Sequence, residues 1–283
     1  MIKIRTFLIA ALLSAAALTA FAANQPAEET GTSMKTLAWQ RGPTTGALEG
    51  KATLAIPEGA QFLDEKEGSK FLQLTGNLAS EESILVAGDW WAAFSFNDSG
   101  YVKDDDKIDA DALLASIKER DAAGNAERRK LGLTEVFTDG WHTPPHYDTA
   151  TKHLEWALRL RAGDNATPVI NYPVRLLGRR GYESAVLVSS PETLDADVAA
   201  FKKVLTGFKF AANEGYSEFK AGDHVAEFGL GALIVGGAAA VVAKTGFWKV
   251  ILGFLAASWK LVAGVGIALF AGIGKLFGRK KAD

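Results

Sequence analysis

The sequence predicts an α+β fold, a mostly antiparallel sheet flanked by helices and followed by a C-terminal transmembrane helix or helical hairpin. Three observations predict it. Alternating runs are joined by tight turns, separate segments carry helix start and stop signals, and an apolar stretch follows at about Phe228 to Phe277. Residues 34–222 read as one extracytoplasmic domain, because a stretch of that length buries a core of its own.

Ala52, Leu54 and Ile56 alternate before Pro57 as a short strand. Asp64 is an N-cap for a helix reaching Leu74 and stopped by Gly76-Asn77. Ser83 to Ala87 and Trp90 to Phe96 are further strands. Asp109 caps a second helix with Leu113, Leu114 and Ile117 on one side; Gly132 ends it, and Gly124 is a candidate break.

His153 to Arg161 alternates most clearly, with Leu154, Trp156, Leu158 and Leu160 pointing one way and Glu155, Arg159 and Arg161 the other. Val169 to Leu177 continues that phase, Ile170, Tyr172, Val174 and Leu176 against Asn171, Pro173 and Arg175. Pro173 lacks an N–H, which places this run at an edge or a bulge. A turn at Gly178-Arg179-Arg180-Gly181 leads into strand Tyr182 to Ser189. Ser190-Pro191-Glu192 starts a helix whose Leu194, Val198, Phe201 and Leu205 form one stripe, and Gly207 ends it before Phe208 to Phe210. This close resembles the end of the sandwich in the photosystem extrinsic protein and Mog-like families, over that short stretch alone.

The ends of the chain point to a membrane. Lys3 and Arg5, the apolar run Phe7 to Leu18, and Ala20, Ala22 and Ala23 form the pattern of a signal peptide over residues 1–23. Residues 24–33 are small, polar and acidic, a flexible linker. Residues 223–283 read as an anchor of one or two spans, about 228–248 and 250–277. Ala232, Gly236 and Ala240, then Gly264, Ala268 and Gly272, repeat small residues at the spacing that lets helices approach, favouring a two-span hairpin; the region reads first as a plain anchor, with a homo-oligomer through these small-residue faces as the alternative. Lys249, Lys260 and Lys275, with Trp248 and Trp259 beside them, fit the rival of one span plus an interfacial helix.

Charge separates the same regions. Residues 24–222 hold 22 Lys and Arg against 30 Asp and Glu, a net of −8, while residues 223–283 hold 7 against 3, a net of +4. An acidic body is a poor partner for nucleic acid, and a basic apolar tail suits a bilayer with an anionic surface. The expected location is the bacterial inner membrane with the main domain on the periplasmic side. The chain has no cysteine, which removes disulfides, lipid-modified thiols and thiol nucleophiles together.

No catalytic residue, cofactor or metal is assigned. There is no G-x-S-x-G elbow, no G-x-x-x-x-G-K-[ST] loop and no G-x-G-x-x-G after a strand. Asp104, Asp105, Asp106, Asp109 and Asp111 lack the glycine and glutamate of a calcium loop and read as a solvated turn plus helix cap. His142, His146, Asp148 and His153 are close in sequence, but Pro144 and Pro145 keep the histidines off one helix face, leaving them as loop residues. Trp141 and Tyr147 read as packing. The candidate ligand-binding constellation is a basic sheet face of Arg159, Arg161, Asn171 and Arg175, with Arg179 and Arg180 at the turn. Guanidinium groups fork onto carboxylate or phosphate, so an anionic envelope ligand or lipid head group is its expected partner.

Gly76-Asn77, Trp90-Trp91, Gly100-Tyr101-Val102-Lys103-Asp104, Asp109-Ala110, Asn125 to Arg128, Gly140-Trp141, Pro145 to Asp148, Leu154-Glu155-Trp156, Asn171-Tyr172 and Arg175 to Gly181 together resemble a bacterial family of uncharacterised membrane-anchored proteins, domain of unknown function 2167. The resemblance runs from Trp39 to Phe277. It implies a signal peptide, an extracytoplasmic domain and a C-terminal anchor, and it implies no reaction, ligand or catalytic residue. The function expected is a non-enzymatic binding or scaffold module of the cell envelope, with an envelope protein or anionic ligand as partner. The alternative is a hydrolase or metal-dependent enzyme whose residues are scattered along the chain.

Overall fold

The alternating runs pair into one eight-stranded antiparallel sheet, and a three-stranded sheet with a helix covers one of its faces. A computed structural model describes residues 33–163 and 167–235. The expected signal peptide, the linker up to residue 32, the first expected span from residue 236 and all of the second lie outside the described residues. In chain order the strands are β1 (Gln40–Arg41), β2 (Thr44–Leu48), β3 (Ala52–Ile56), β4 (Ala60–Leu63), β5 (Ser83–Ala87), β6 (Trp90–Asn97), β7 (Val136–Asp148), β8 (His153–Ala162), β9 (Val169–Leu177), β10 (Tyr182–Ser189) and β11 (Phe208–Phe210). The helices are α1 (Glu65–Leu74), α2 (Ala110–Lys130), α3 (Leu194–Leu205) and α4 (Leu230–Val235). The large sheet runs β1-β4-β5-β6-β10-β9-β8-β7 and the small one β11-β3-β2.

Strand side chains alternate between faces, so the registers define two cores. On one face Phe62, Leu85, Ala92, Phe94, Ala185, Leu187, Ile170, Tyr172 and Val174 meet Leu48, Leu54 and Ile56 of the small sheet and Leu194, Phe201 and Leu205 of α3. On the other face α1, α2 and α4 lie over Trp91, Val186, Trp156 and Leu158. Phe71 of α1 meets Trp91 edge-on with ring centres 5.3 Å apart.

Helix ends follow local chemistry. Asp64 Oδ1 accepts from the Glu67 N–H at 3.0 Å, and Asp109 Oδ1 from the Ala112 N–H at 3.1 Å, each filling a first-turn donor. Gly76 and Gly132 take φ of +74° and +69°. Asn77 and Leu133 then donate back to Leu72 and Arg128, both at 2.8 Å, closing the last turns. Gly124 does not break α2, which is continuous over 21 residues.

Three sequence expectations are corrected. Pro173 is interior rather than at an edge or bulge. It lies opposite Val186 of β10, and on the β8 side the register is unshifted but unbonded between Glu155↔Val174 and Leu158↔Asn171, the gap a missing N–H leaves. The run holding His142, Pro144, Pro145 and His146 is edge strand β7 rather than a loop. Three register shifts break its alternation, and its prolines occupy an edge, where ladder donors are dispensable. Helix α3 starts at Leu194, one turn later than Ser190-Pro191 suggests, with Thr193 as a cap whose side chain accepts no helix N–H. There Asp197 accepts from Ser189 Oγ at 2.7 Å and Thr193 Oγ1 at 2.6 Å, so the hydroxyls bind a carboxylate instead of helix N–H groups.

Asn125 of α2 is buried and clamps β7. Its Nδ2 donates to the Val136 carbonyl at 2.8 Å, and its Oδ1 accepts from the Val136 N–H at 2.8 Å. Asn125→Leu is therefore expected to destabilise the fold by about 2–4 kcal/mol, because two buried backbone groups lose their partners. Urea denaturation checks it through a lower midpoint at unchanged slope.

Candidate functional site

The antiparallel register between β8 and β9 does not bring the expected basic face together. Leu154 pairs with Arg175 and Leu158 with Asn171, whereas Arg159 pairs with Ile170. Asn171 and Arg175 thus share the face of Leu154, Trp156 and Leu158, under α2, while Arg159 and Arg161 share the face of the small-sheet core. Arg161 lies over the Phe137 ring at 5.0 Å and reaches Asp139 at 3.3 Å. At the turn, Arg179 donates to Asp223 through Nε at 2.6 Å and Nη2 at 2.7 Å, and Arg180 donates through Nε to Glu214 at 2.8 Å. Both turn arginines tie β9 and β10 to the segment beyond β11.

What the fold assembles instead is a cavity of about 40 Å³ between α2, α4 and the β8–β9–β10 face. Ile117 and Arg120 of α2, Ile234 of α4, and Trp156, Asn171 and Arg175 of the sheet are among its walls. Asn171 and Arg175 are 5% and 6% exposed, and Trp156 is 1% exposed. Among the described residues, Arg120 Nε, Trp156 Nε1, Arg175 Nε and Asn171 Oδ1 have no hydrogen-bond partner. Four orphaned polar atoms on the walls of one cavity depart from the near-complete satisfaction of buried polar groups. A buried indole N–H in particular ordinarily finds an acceptor.

Arg175 is held in place from several sides. Its Nη1 donates to Ser184 Oγ at 2.7 Å, and its guanidinium carbon lies 5.1 Å from the Trp156 ring centre and 5.7 Å from that of Tyr182. Burial lowers the pKa of Arg175, of Arg120 and of Arg128, which lies two turns further along α2. Among the described residues none of the three makes an ion pair within 4.0 Å. Glu82 acts on Arg175 through space, but burial pushes the Glu82 carboxyl up to about 7. An acidic domain therefore encloses a locally cationic interior.

Arg120 and Trp156 are missing from the basic face read in the sequence. Arg120 carries a legible signal: it stands seven residues after Leu113 and three after Ile117, an arginine inside the apolar stripe of its helix. Trp156 carries none, since its spacing marks it only as core.

The other sequence candidates have local duties. Asp104 accepts from the Tyr147 hydroxyl at 2.7 Å and from Lys152 at 2.9 Å, and Trp141 Nε1 donates to the Ala110 carbonyl at 3.1 Å, securing the start of α2. His146 pairs with Glu155 and His153 with Asp148 in the β7–β8 ladder, and burial lowers the His153 pKa. Among the described residues no three His, Asp or Glu side chains converge as metal ligands. In the described part of the first expected span, residues 228–235, Leu230, Ala232, Leu233, Ile234 and Val235 are buried, and Phe228, Gly229 and Gly231 are partly so. Among the described residues no helix is long and apolar enough to cross a membrane.

No curated protein matches the chain. Among solved structures it is similar to the solution structure of cyanobacterial PsbP (CyanoP) from Synechocystis sp. PCC 6803. The identity is 13% and the TM-score 0.35, covering 62% of this chain and 94% of that one. Residues 40–270, most of the sequence and the whole of the cavity's lining, match the family described as "Protein of unknown function (DUF2167)", and the chain belongs to it.

Proposed function

We propose that this chain is a membrane-tethered extracytoplasmic module of the bacterial cell envelope that binds a ligand rather than transforming one. The observation that carries the reading is the cavity. Its polar lining is guanidinium, indole and carboxamide, which hold and orient charge. A guanidinium keeps its proton at neutral pH, and neither an indole nor an amide is a practical nucleophile or general base.

The location rests on the sequence. Residues 1–23 have the three-part export pattern, and the apolar tail continues from α4 through Phe277 to Arg279, Lys280 and Lys281. The bilayer is its partner through that tail, and the small-residue faces offer contacts to a second copy. The full chain, expressed in a bacterial host, is expected to stay with the membrane pellet after an alkaline carbonate wash and to begin after Ala22 or Ala23. A soluble cytosolic product still carrying Met1 overturns the tethered, exported reading.

A further inference from the structure

We propose that the cavity under α2 and α4 takes a small phosphate-type oxyanion, gripped by Arg120 and Arg175 and completed by Trp156 and Asn171. The inference deepens the binding reading above and rests on it for the choice of site, but not on the membrane location.

Charge carries the first step. A buried guanidinium without a counter-ion costs several kcal/mol; here Arg175 is buried, and the partly buried Arg120, on which Asp121 acts only through space, lies on the opposite wall of a cavity with no carboxylate in its lining. Water satisfies donors but brings no charge. An oxyanion does both.

Hydrogen bonding and size narrow the class. The unpartnered atoms are three N–H donors, at Arg120, Trp156 and Arg175, and one acceptor, Asn171 Oδ1. Three donors suit an anion with several equivalent oxygens, and the carboxamide suits the O–H that a phosphate retains near neutral pH. Ser184 and the flanking rings already position Arg175, so its Nε is presented without ordering a free side chain. The volume, about 40 Å³, exceeds the ~10–15 Å³ that one water needs and suits a four-oxygen anion rather than a nucleotide or peptide.

A free phosphate ion and the phosphomonoester of a lipid head group share this chemistry, and the experiment separates them. Full-length protein in detergent and phosphate-free buffer is titrated with inorganic phosphate, and separately with dihexanoyl phosphatidic acid. Chloride at equal ionic strength is the control, and Tm and heat release are the readouts. Phosphate is expected to raise Tm at millimolar concentration or below.

Arg120→Met is expected to weaken binding by at least about tenfold while leaving or raising the Tm of the unliganded protein, since it removes a partly buried charge whose Nε has no hydrogen-bond partner. Arg120→Lys is the second variant should the methionine variant fail to fold, because it keeps the charge and loses the fork. A response to phosphatidic acid alone, lost in either variant, supports the same site with a lipid source. Absence of any response in the parent, or an equal response in parent and variants, overturns the proposal. An overturned ligand leaves the tethered module standing, and a cytosolic location leaves the oxyanion site standing.

Discussion

Phe201→Ala is expected to lower the free energy of unfolding by about 3–5 kcal/mol, the range for truncating a fully buried aromatic side chain. Phe201 is the central residue of the α3 stripe, and it is 0% exposed. Its ring centre lies 5.9 Å from Trp90 and 6.3 Å from Phe94, both on β6. It thereby joins α3 to the middle of the large sheet. Truncation removes the transfer free energy of the ring and leaves a void that rigid strands on one side and the α3 backbone on the other cannot close. Domains are stable by only about 5–15 kcal/mol, so this one change consumes a large share of the total. Urea or guanidinium denaturation with fluorescence detection measures it. A loss below about 1 kcal/mol would show that α3 packs elsewhere, since that is less than the cost of a single buried methylene pair.

A second large effect concerns two carboxyls that the fold buries. Glu183 of β10 is 0% exposed, and among the described residues both of its oxygens lack a hydrogen-bond partner. Burial raises its pKa well above the usual range, and nearby Glu49 and Glu65 add to the rise. Glu82, 2% exposed on the other face, is raised by burial to about 7 against the partial opposition of Ser80 and Arg175. Both folded pKa values lie above the unfolded one, so the folded state holds protons that the unfolded chain releases. The contribution to stability is fully present below about pH 4.5 and is lost as pH rises through the folded values, near 7 for Glu82.

Glu82→Gln is accordingly expected to remove roughly 2–3 kcal/mol of the decline in stability between pH 4.5 and 8, and Glu183→Gln to flatten the same window further. Denaturant midpoints measured at both ends of that window check it. Identical slopes in parent and variants would mean that both groups are ionised in the fold.

How much of this was legible differs from element to element. The strand at His153 to Arg161 and the helix capped by Asp109 were readable because alternation and capping are local and are decided within a few residues. Strand β7 was not, because Pro144, Pro145 and three register shifts erase its period, and only its pairing with β8 reveals it. The interior place of Pro173 was hidden for a related reason. Its missing donor argues for an edge, yet an intact ladder to β10 on its other side holds the strand inside the sheet.

The site turned on a single parity. In the β8–β9 pair the numbers of facing residues sum to 329, as in Leu158↔Asn171 and Leu154↔Arg175. An odd sum sets even positions of one strand opposite odd positions of the other. The two alternating patterns, each read correctly, therefore meet with their phases crossed. Asn171 and Arg175 go under α2 with Trp156, and Arg159 and Arg161 go to the opposite face. A register slipped by one residue would have reversed this.

Residue order alone was enough for the α+β class, for most strands and helices and for the start caps of α1 and α2, because periodicity, caps and turns act over distances the chain itself spans. The cavity was beyond its reach. Arg120, Trp156, Asn171 and Arg175 come from a helix and two strands, and only packing those elements together withdraws their polar atoms from water and sets two guanidiniums around one space. That step depends on register and on which face each helix covers, quantities that exist only once the sheet has closed.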